Sequence, residues 1–415
     1  MAFGGVVTVQ HPELGTGPIA TEQSISGAFF ERERERIFRR VWLCVARVDE
    51  VPDPGDYTVV DLEVLKTSAI IVRGKDNEIR AFHNICTHRG NKVTRQCRGK
   101  ANAFTCGFHG WVFDLKGSLS FVRDEEGFFD FNKAEHGLIP LAVGVWEGFI
   151  FVNATLHPAE SLEQYLDTLW PSLKGYPFAE MKLEAMYSLT VDANWKVAQD
   201  AFQESYHVGV VHRNTAPQFS TDVNPFGRML AYRLHKYHDV ASVIGNPDPQ
   251  LTPVERFARE LGTSTFGAAA AVTGRQWESV PGINPARSKG FLFDLHNVFP
   301  NFAIHAGIGF YYTHSFFPIT TRRTRWVLRL YGFPATNGGE AIAKEYTKIF
   351  LRDAVKEDVN TFECTQRNLE SRVMPFMVLH DHEMLVRHKY KTVEAFVESE
   401  AYPRVGARAQ AAGHA

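Results

Sequence analysis

The chain has 415 residues, enough for two or three domains, and we expect a small domain and a large one. Lysine and arginine total 45 against 47 aspartates and glutamates, so no basic surplus predicts binding to nucleic acid or to a membrane surface. No apolar run approaches the roughly 18 residues that span a bilayer, and the N-terminal segment MAFGGVVTVQHPELG lacks the basic start of a signal peptide. The sequence therefore predicts a soluble, cytoplasmic protein.

The first predicted element is an amphipathic helix over residues 28–42, AFFERERERIFRRVW. Phe30, Ile37 and Val41 fall on one helical face, and the alternating glutamates and arginines are interpreted as the solvated face. Short apolar runs separated by turn signals then predict a small antiparallel β domain over residues 43–153.

After residue 153 the pattern returns to helix, with Ser161 as a predicted N-cap. The rest of the chain mixes apolar strands such as GFYYTHSFF and RWVLRLYGF with a predicted helix around residues 340–372. The fold class is therefore α+β: a small antiparallel β domain, then a larger domain over 154–415 with an antiparallel sheet and helices. The helix within residues 1–42 is expected to pack on the larger domain.

Two short loops each pair a cysteine with a histidine, in Cys86-Thr-His88 and Cys106-Gly-Phe-His109. A tetrahedral zinc could take these four ligands, but zinc modules of that composition usually pair cysteine with cysteine and histidine with histidine. A mixed pair on each loop suits a Rieske 2Fe-2S centre, in which two cysteines bind one iron and two histidines bind the other. The sequence therefore predicts a Rieske cluster.

The neighbours of these ligands are expected to tune the cluster. Gly90 and Gly110 would let backbone amides approach the sulfides, and Trp111 would exclude water from one flank. Five cysteines do not form a disulfide framework in a chain of this size. The three that lie outside the motif are interpreted as a free thiol, Cys97, and as buried small hydrophobes, Cys44 and Cys364.

A second constellation reads Glu204-x-x-His207-x4-His212. On a regular helix Glu204 and His207 share a face, but residues five apart diverge by about 140°, so we expect a break or a π-type turn near Gly209. Two histidines and one carboxylate form the facial triad of non-haem Fe(II) oxygenases. A di-iron bundle would need two Glu-x-x-His motifs, and the sequence has one.

Spacing alone does not choose the third ligand, because Glu204, Asp200 and the acids of residues 352–363 all qualify. The cluster motif, the segment Asn-Trp-Lys and His207-x4-His212 together resemble the large subunit of the Rieske non-haem iron oxygenases, over nearly the whole chain. This family contains the ring-hydroxylating dioxygenases and related monooxygenases. The resemblance implies that the third iron ligand is Asp358, within the family pattern Glu-Asp-x4-Glu-x-x-Gln.

The resemblance also implies a catalytic role for Glu204, which would bridge to a cluster histidine of the neighbouring subunit in a trimer. Electrons from NAD(P)H would arrive through a reductase, sometimes with a ferredoxin, and a β subunit is found in part of the family. O2 and a small-molecule substrate would meet at the mononuclear iron. The implied substrate-binding residues are Asp200, Phe202, Val208, His296 and Asn297. Four further histidines are interpreted as surface or core residues: His235, His238, His380 and His382.

The sequence departs from the family pattern at three positions. Most ring dioxygenases have aspartate at the position of Glu204 and asparagine at that of Asp200, and a bridging glutamate resembles the branch that oxidises quaternary amines. Gly107 stands where many relatives have proline, for which we expect a small tuning effect.

Three functions stay open at this point. The first is a dioxygenase acting on an aromatic or other apolar compound, favoured by the phenylalanine-rich second domain. The second is a monooxygenase that hydroxylates or demethylates an N-methyl, O-methyl or quaternary amine substrate, favoured by Glu204 and by Asp200, an acid that could attract a cation. The third is an electron carrier with an inactive second domain, which would bind no mononuclear iron.

Overall fold

The computed structural model describes residues 11–216, 224, 226–246, 250–261 and 277–399. The chain divides into two compact units, a smaller one of residues 34–165 and a larger one of residues 1–33 with 166–415. The sequence-based domain limits were placed at 42/43 and 153/154, and their outer ends at 1 and 415 lie outside the described residues. Within the described part of the chain, no helix is long and apolar enough to cross a membrane.

The N-terminal part of the larger unit contains strand β1 (Ile19–Ala20), helix α1 (Glu22–Ile25) and helix α2 (Gly27–Glu33). The next five residues, Arg34–Phe38, are π-helical. Buried on this segment, as predicted, are Phe30, Ile37 and Val41. The prediction that all its glutamates and arginines face solvent is wrong at Glu33 and Arg34, which are buried. Each has a buried partner: the Lys196 ammonium contacts the Glu33 carboxylate, and Arg34 donates to a backbone carbonyl.

The smaller unit is the predicted antiparallel β domain. Its strands are β2 (Leu43–Arg47), β3 (Asp56–Leu62), β4 (Thr67–Arg73), β5 (Ile79–His83), β6 (Arg98–Lys100), β7 (Ala103–Thr105), β8 (Val112–Asp114), β9 (Leu119–Phe121), β10 (Pro140–Trp146) and β11 (Phe149–Asn153). One sheet has the order β2-β11-β10-β5-β4-β3-β6 and the other the order β7-β8-β9. Cys86 follows β5 and Cys106 follows β7, so both cluster loops leave the ends of strands.

Helix α3 (Leu162–Leu166) begins at the predicted cap. The Ser161 hydroxyl accepts the Gln164 amide at 3.2 Å, and the Gln164 side chain accepts the Ser161 amide at 2.9 Å. This reciprocal pair is a capping box, which satisfies two backbone donors at the helix start.

The larger unit continues with a seven-stranded antiparallel sheet and helices. Its further elements are β12 (Lys182–Val191), α4 (Trp195–Asp200), α5 (Val208–Val211), β13 (Ala231–Leu234), β14 (Asp239–Ile244), α6 (Pro253–Leu261), β15 (Phe291–Val298), β16 (Phe302–Gly307), β17 (Phe310–Thr320), β18 (Arg323–Gly332), α7 (Gly338–Glu370), β19 (Phe376–Met377) and α8 (Met384–Glu398). The sheet order is β12-β18-β17-β16-β15-β14-β13, and β1 pairs separately with β19. Single 3-10 turns occur at Pro12–Leu14, Val48–Glu50, Glu63–Leu65, Glu125–Gly127, Lys133–Glu135, Asp167–Leu169, Trp277–Ser279 and Asp381–Glu383.

Helix α7 confirms the helix predicted around 340–372. The Asn337 side chain caps it by accepting the Glu340 amide at 3.0 Å. One face of the large sheet packs with α4 and α7 into the core of this unit. The buried α7 residues of that core are Leu351, Val355, Phe362 and Leu369. The helix thereby holds its middle, where Asp358 lies, against the sheet. Cys364, also on α7, is exposed rather than buried as predicted, whereas Cys44 is buried.

Candidate metal centres and substrate pocket

The two cluster loops close in the same way. The amide of Gly90 donates to the carbonyl of Cys86 at 2.9 Å, and the amide of Gly110 donates to the carbonyl of Cys106 at 3.0 Å. Both glycines have positive φ, +78° and +75°, which favours glycine. A Cβ at either position would have no neighbour within 4 Å, so backbone conformation rather than space explains these glycines.

The four predicted cluster ligands lie together at the tips of these loops. The Nδ1 atoms of His88 and His109 face each other at 3.1 Å, and Cys86 and Cys106 are each 2% exposed. Paired nitrogens and paired sulfurs, each pair drawn from both loops, match the donor set of a Rieske cluster. Trp111 is buried and stacks on the His88 ring at 4.8 Å. It therefore shields this side of the histidine, as the sequence predicted.

The helical segment that carries the second constellation is interrupted earlier than predicted. Helix α4 ends at Asp200, and α5 is a single turn with His207 and His212 at its two ends. The amide of His212 donates to the carbonyl of Val208 at 3.0 Å, which is ordinary α-helical bonding. The predicted break at Gly209 is therefore wrong. The break precedes His207, and in it the Glu204 carboxylate accepts the backbone amide of His207 at 3.1 Å.

His207, His212 and Asp358 form a compact donor set in the larger unit. The Nε2 atoms of His207 and His212 lie 3.6 and 3.1 Å from Oδ1 of Asp358. Asp358 is 3% exposed, and within the described chain no hydrogen-bond donor satisfies its Oδ1. A buried carboxylate oxygen facing two imidazole nitrogens fits a divalent metal with a two-histidine, one-carboxylate site.

A second carboxylate holds the far side of each imidazole. Glu204 accepts a hydrogen bond from Nδ1 of His207, and Oε2 of Glu357 lies 2.7 Å from Nδ1 of His212. The Thr215 hydroxyl donates to the other oxygen of Glu357. Such partners fix the proton on Nδ1 and turn the Nε2 lone pair toward the metal.

The electrostatics of His212 agree with this arrangement. Burial lowers its pKa, but the neighbouring carboxylates of Asp358 and Glu357 outweigh burial and raise the pKa overall. A metal would therefore compete with a proton at Nε2. Sequence reasoning missed the contact of Glu357 with His212, and its only signal was the position of Glu357 directly before Asp358.

A cavity of about 100 Å³, open on one side to solvent, adjoins this donor set. Its lining is predominantly apolar and consists of Ala201, Phe202, Glu204, Ser205, His207, Val208, His212, Ala216, Met229, Val243, Phe293, Leu295, His305, Tyr312, His314, Phe350, Leu351, Ala354, Val355 and Asp358. Two of the predicted substrate-binding residues, Phe202 and Val208, are in this lining. His305 and His314 are in it as well, and sequence reasoning did not single them out.

Three predicted substrate-binding residues lie outside the lining. Asp200 accepts hydrogen bonds from Lys389 at 2.6 Å and from Tyr390 at 3.2 Å. The amide of Asn297 donates to a carboxylate of the neighbouring strand at 2.6 Å. His296 alternates with Leu295 along β15 and is fully buried on the opposite side of the sheet.

The four remaining paired histidines lie in the core or at the surface, as the sequence predicted. His235 bonds to Thr168 at 2.7 Å, and the imidazole of His238 accepts the Phe299 amide at 3.0 Å. His380 and His382 flank Asp381 and make a second group of potential metal ligands in the described chain. Asp381 is already paired with Arg228 at 2.8 Å.

The folds and donor sets of the two units define a protein with a Rieske domain and a non-haem iron domain. The family model "Rieske [2Fe-2S] domain" matches residues 41–130, and the model "Ring hydroxylating alpha subunit (catalytic domain)" matches residues 178–399. The second match covers more than half of the chain, which belongs to the ring-hydroxylating alpha subunit family. Its cofactors are a Rieske 2Fe-2S cluster and a mononuclear non-haem iron.

Curated relatives come from both branches of the family. The carnitine monooxygenase oxygenase subunit of Acinetobacter baumannii is 35% identical over 199 residues, 48% of this chain and 53% of the relative. The glycine betaine monooxygenase oxygenase subunit of Chromohalobacter salexigens is 35% identical over 183 residues, 44% of this chain and 40% of the relative. Biphenyl dioxygenase subunit alpha of Metapseudomonas furukawaii is 33% identical over 197 residues, 44% of this chain and 42% of the relative. The chain thus spans about half the length of the curated relatives it matches.

Solved structures share the fold over nearly the whole chain. A quaternary ammonium Rieske monooxygenase superposes with a TM-score of 0.73 at 22% identity, covering 92% of this chain and 95% of that one. Naphthalene 1,2-dioxygenase from Rhodococcus sp. superposes with a TM-score of 0.75 at 19% identity, covering 95% of this chain and 98% of that one. The predicted α+β fold class is confirmed.

Proposed function

We propose that the chain is the oxygenase component of a system that uses NAD(P)H-derived electrons and O2 to hydroxylate an aromatic or other apolar small molecule. The observation that carries this proposal is the position of the donor set. His207, His212 and Asp358 converge at the wall of a cavity whose remaining surface is mainly apolar. A substrate in this cavity would lie beside the iron and against a mainly apolar wall.

The protein groups have separate tasks in this proposal. Cys86, Cys106, His88 and His109 would hold the cluster, and the two histidines with Asp358 would hold the iron. The reduced iron supplies the activation of O2, which is the chemistry that the side chains lack. Glu204 and Glu357 keep the Nδ1 protons of the ligand histidines in place, and the apolar lining orients the substrate and excludes water.

Electron supply is proposed from the relatives. Those named above are oxygenase subunits, and one solved relative is described in terms of inter-subunit electron transfer. We infer that a reductase, with or without a ferredoxin, delivers electrons and that the chain works as a trimer, with or without a β subunit. Glu204 is suited to link the mononuclear site to a neighbouring cluster because it already holds the Nδ1 side of His207.

A neutral substrate is favoured by the charges around the cavity. Asp200, the acid that could have attracted a cation, is bonded to Lys389 and Tyr390 instead. The acids of the cavity lining, Glu204 and Asp358, both face the ligand histidines. Oxidation of a quaternary or N-methyl amine is the second candidate, supported by Glu204 at the bridging position and by the carnitine and glycine betaine relatives.

The test is substrate-dependent O2 consumption by the purified protein with a reductase, under labelled dioxygen. One substrate pool contains small arenes and the other contains methylated amines and aryl ethers. A diol with two labelled oxygen atoms supports the dioxygenase, and a singly labelled alcohol or a released aldehyde from the second pool supports the monooxygenase. Two irons per chain and no product from either pool would support the electron carrier and overturn the proposal.

A further inference from the structure

The cavity wall contains two histidines on an otherwise apolar sheet face. His305 on β16 pairs across the sheet with Tyr312 on β17, and His314 follows Tyr312 by two residues, so all three point to the same side. The two imidazole rings lie 4.7 Å apart. The neighbours on this face include Phe293 and Leu295, which are core residues. Imidazole nitrogens in apolar surroundings are expected to have a hydrogen-bond partner.

Both rings are buried, and part of their hydrogen-bonding capacity is unused. His305 is 4% exposed and His314 is fully buried. In the part of the chain that the structure describes, both nitrogens of His305 lack a hydrogen-bond partner, and so does Nε2 of His314. A buried polar atom without a partner costs about 1–3 kcal/mol, so an arrangement of this kind is expected where a ligand supplies the missing bond.

The indole of Trp326 fixes the tautomer of His314. Its Nε1–H can only donate, and it lies 3.0 Å from Nδ1 of His314. Nδ1 is therefore the acceptor, and the proton of the neutral ring is on Nε2. His314 is one of the residues that line the cavity, and its Nε2–H has no hydrogen-bond partner in the described part of the chain.

Both rings are neutral near neutral pH. Burial lowers the pKa of His314 to about 3. Burial, together with the nearby His314 ring, lowers the pKa of His305 well below its usual range. The cavity therefore offers polar contacts without a positive or a negative charge at this wall.

We propose that His314 and His305 select substrates that carry a neutral hydrogen-bond acceptor, such as a ketone, ether or ester oxygen on an apolar ring system. This inference rests on the proposed function and narrows its substrate class. The Nε2–H of His314 donates to the acceptor, and Trp326 keeps that donor in place. His305 lies beside it as a neutral ring that can take either tautomer.

The same wall disfavours a cationic substrate. A quaternary ammonium group has no acceptor for the Nε2–H of His314, so this donor would stay unpaired with such a ligand in place. The selection therefore disfavours quaternary ammonium substrates by an uncharged contact.

The test measures equilibrium binding to the oxidised holoprotein, in which no turnover occurs because no reductant is present. The probes are indane, which is apolar, 1-indanone, which has the same ring system with one carbonyl oxygen, and benzyltrimethylammonium. We expect 1-indanone to bind about tenfold more tightly than indane, equivalent to about 1.4 kcal/mol. Benzyltrimethylammonium is expected to bind more weakly than 1-indanone.

Two variants at one position separate the hydrogen bond from packing. His314→Phe keeps a ring and removes the donor, so the preference for 1-indanone over indane should fall to near one. His314→Gln offers an amide oxygen to Trp326 and an amide N–H to the cavity, and should restore most of the preference. Each protein is judged by the ratio of its affinities for 1-indanone and indane. A loss of correctly folded protein affects both measurements alike and leaves this ratio unchanged. If His314→Phe binds indane at least as tightly as the wild type does, the cavity of the variant is intact.

Three outcomes would overturn the inference: equal affinities for indane and 1-indanone in the wild type, a preference that survives in His314→Phe, or tighter binding of benzyltrimethylammonium than of 1-indanone. None depends on oxygen chemistry. Failure of the proposed function would instead appear as absent product with intact binding, so the two failures are distinguishable.

Discussion

Replacing Glu357 tests whether the carboxylate behind His212 contributes to metal binding. Glu357 lies 2.7 Å from Nδ1 of His212 and also accepts a bond from Thr215, and its side chain is 33% exposed. Removing a partner of a ligand histidine typically weakens metal affinity 10- to 100-fold. In Glu357→Gln the amide oxygen can still accept from one of the two donors, and solvent already screens part of the charge. We therefore expect about tenfold weaker Fe(II) binding for Glu357→Gln and up to about 100-fold for Glu357→Ala, which is about 1.4 to 2.7 kcal/mol.

The affinity is measured anaerobically by competition between the protein and a coloured Fe(II) chelator, after the mononuclear iron has been removed. Visible absorbance reports that the cluster stays intact. Glu363→Gln is the matched control, since Glu363 is on the same helix but bonds to the backbone amide of Asp192 at 3.1 Å. Equal iron affinities for Glu357→Ala and Glu363→Gln would refute the reasoning.

Five further substitutions have defined outcomes. Glu204→Gln should retain the cluster and, when Fe(II) is supplied in excess, the mononuclear iron, but it should lose nearly all turnover, measured by iron content and O2 consumption. Cys106→Ser should abolish the cluster absorbance, whereas Cys97→Ser should leave it unchanged because Cys97 is an exposed free thiol. Glu33→Gln leaves a buried lysine without its counter-charge and should cost about 3–5 kcal/mol of unfolding free energy, measured by denaturant titration. The free energy of unfolding of the wild type, relative to that of His314→Gln, should decrease as the pH falls below about 6.5, by up to about 1.4 kcal/mol per pH unit. The reason is that His314 takes up a proton in the unfolded state but not in the folded state, where its pKa is about 3.

Each of these predictions would be contradicted by a specific result. Full activity of Glu204→Gln would remove the bridge assignment, and a cluster that survives Cys106→Ser would remove that ligand. For the buried pair the control is Glu35→Gln, since Glu35 makes an exposed pair with Arg39 and should cost less than about 1 kcal/mol. A stability difference between the wild type and His314→Gln that does not vary with pH would mean that His314 is accessible to protons in the folded state.

Spacing in the sequence was sufficient to propose the four cluster ligands and the two histidines of the mononuclear site. The cysteine and histidine pairs lie on short loops whose reach is set by a few residues, so Cys86, His88, Cys106 and His109 could be placed together without a structure. The contribution of Asp358 could not, because it comes from a helix more than a hundred residues away. Only resemblance to a family suggested it, and the fold now places it 3.1 Å from His212.

The substrate pocket was much less predictable. Strand residues reach a cavity only if the register turns them to the correct face, and Leu295 and His296 show that neighbouring residues face opposite sides. His314 carries no motif at all, and its role depends on a cross-strand contact with Trp326. Glu33 was interpreted as a solvated helix residue because a charge pattern does not reveal a lysine 163 positions further along the chain.

The contact between Glu33 and Lys196 has a consequence for how the chain can be divided. Residues 34–165 are inserted into the sequence of the larger unit, whose N-terminal piece supplies Glu33. A fragment that starts at residue 166 would retain all three proposed ligands of the mononuclear iron, yet the ammonium of Lys196 and the indole N–H of Trp195 would both lose their buried acceptor. During synthesis the contact between Glu33 and Lys196 can therefore form only after residues 34–165, the whole smaller unit, have been synthesised.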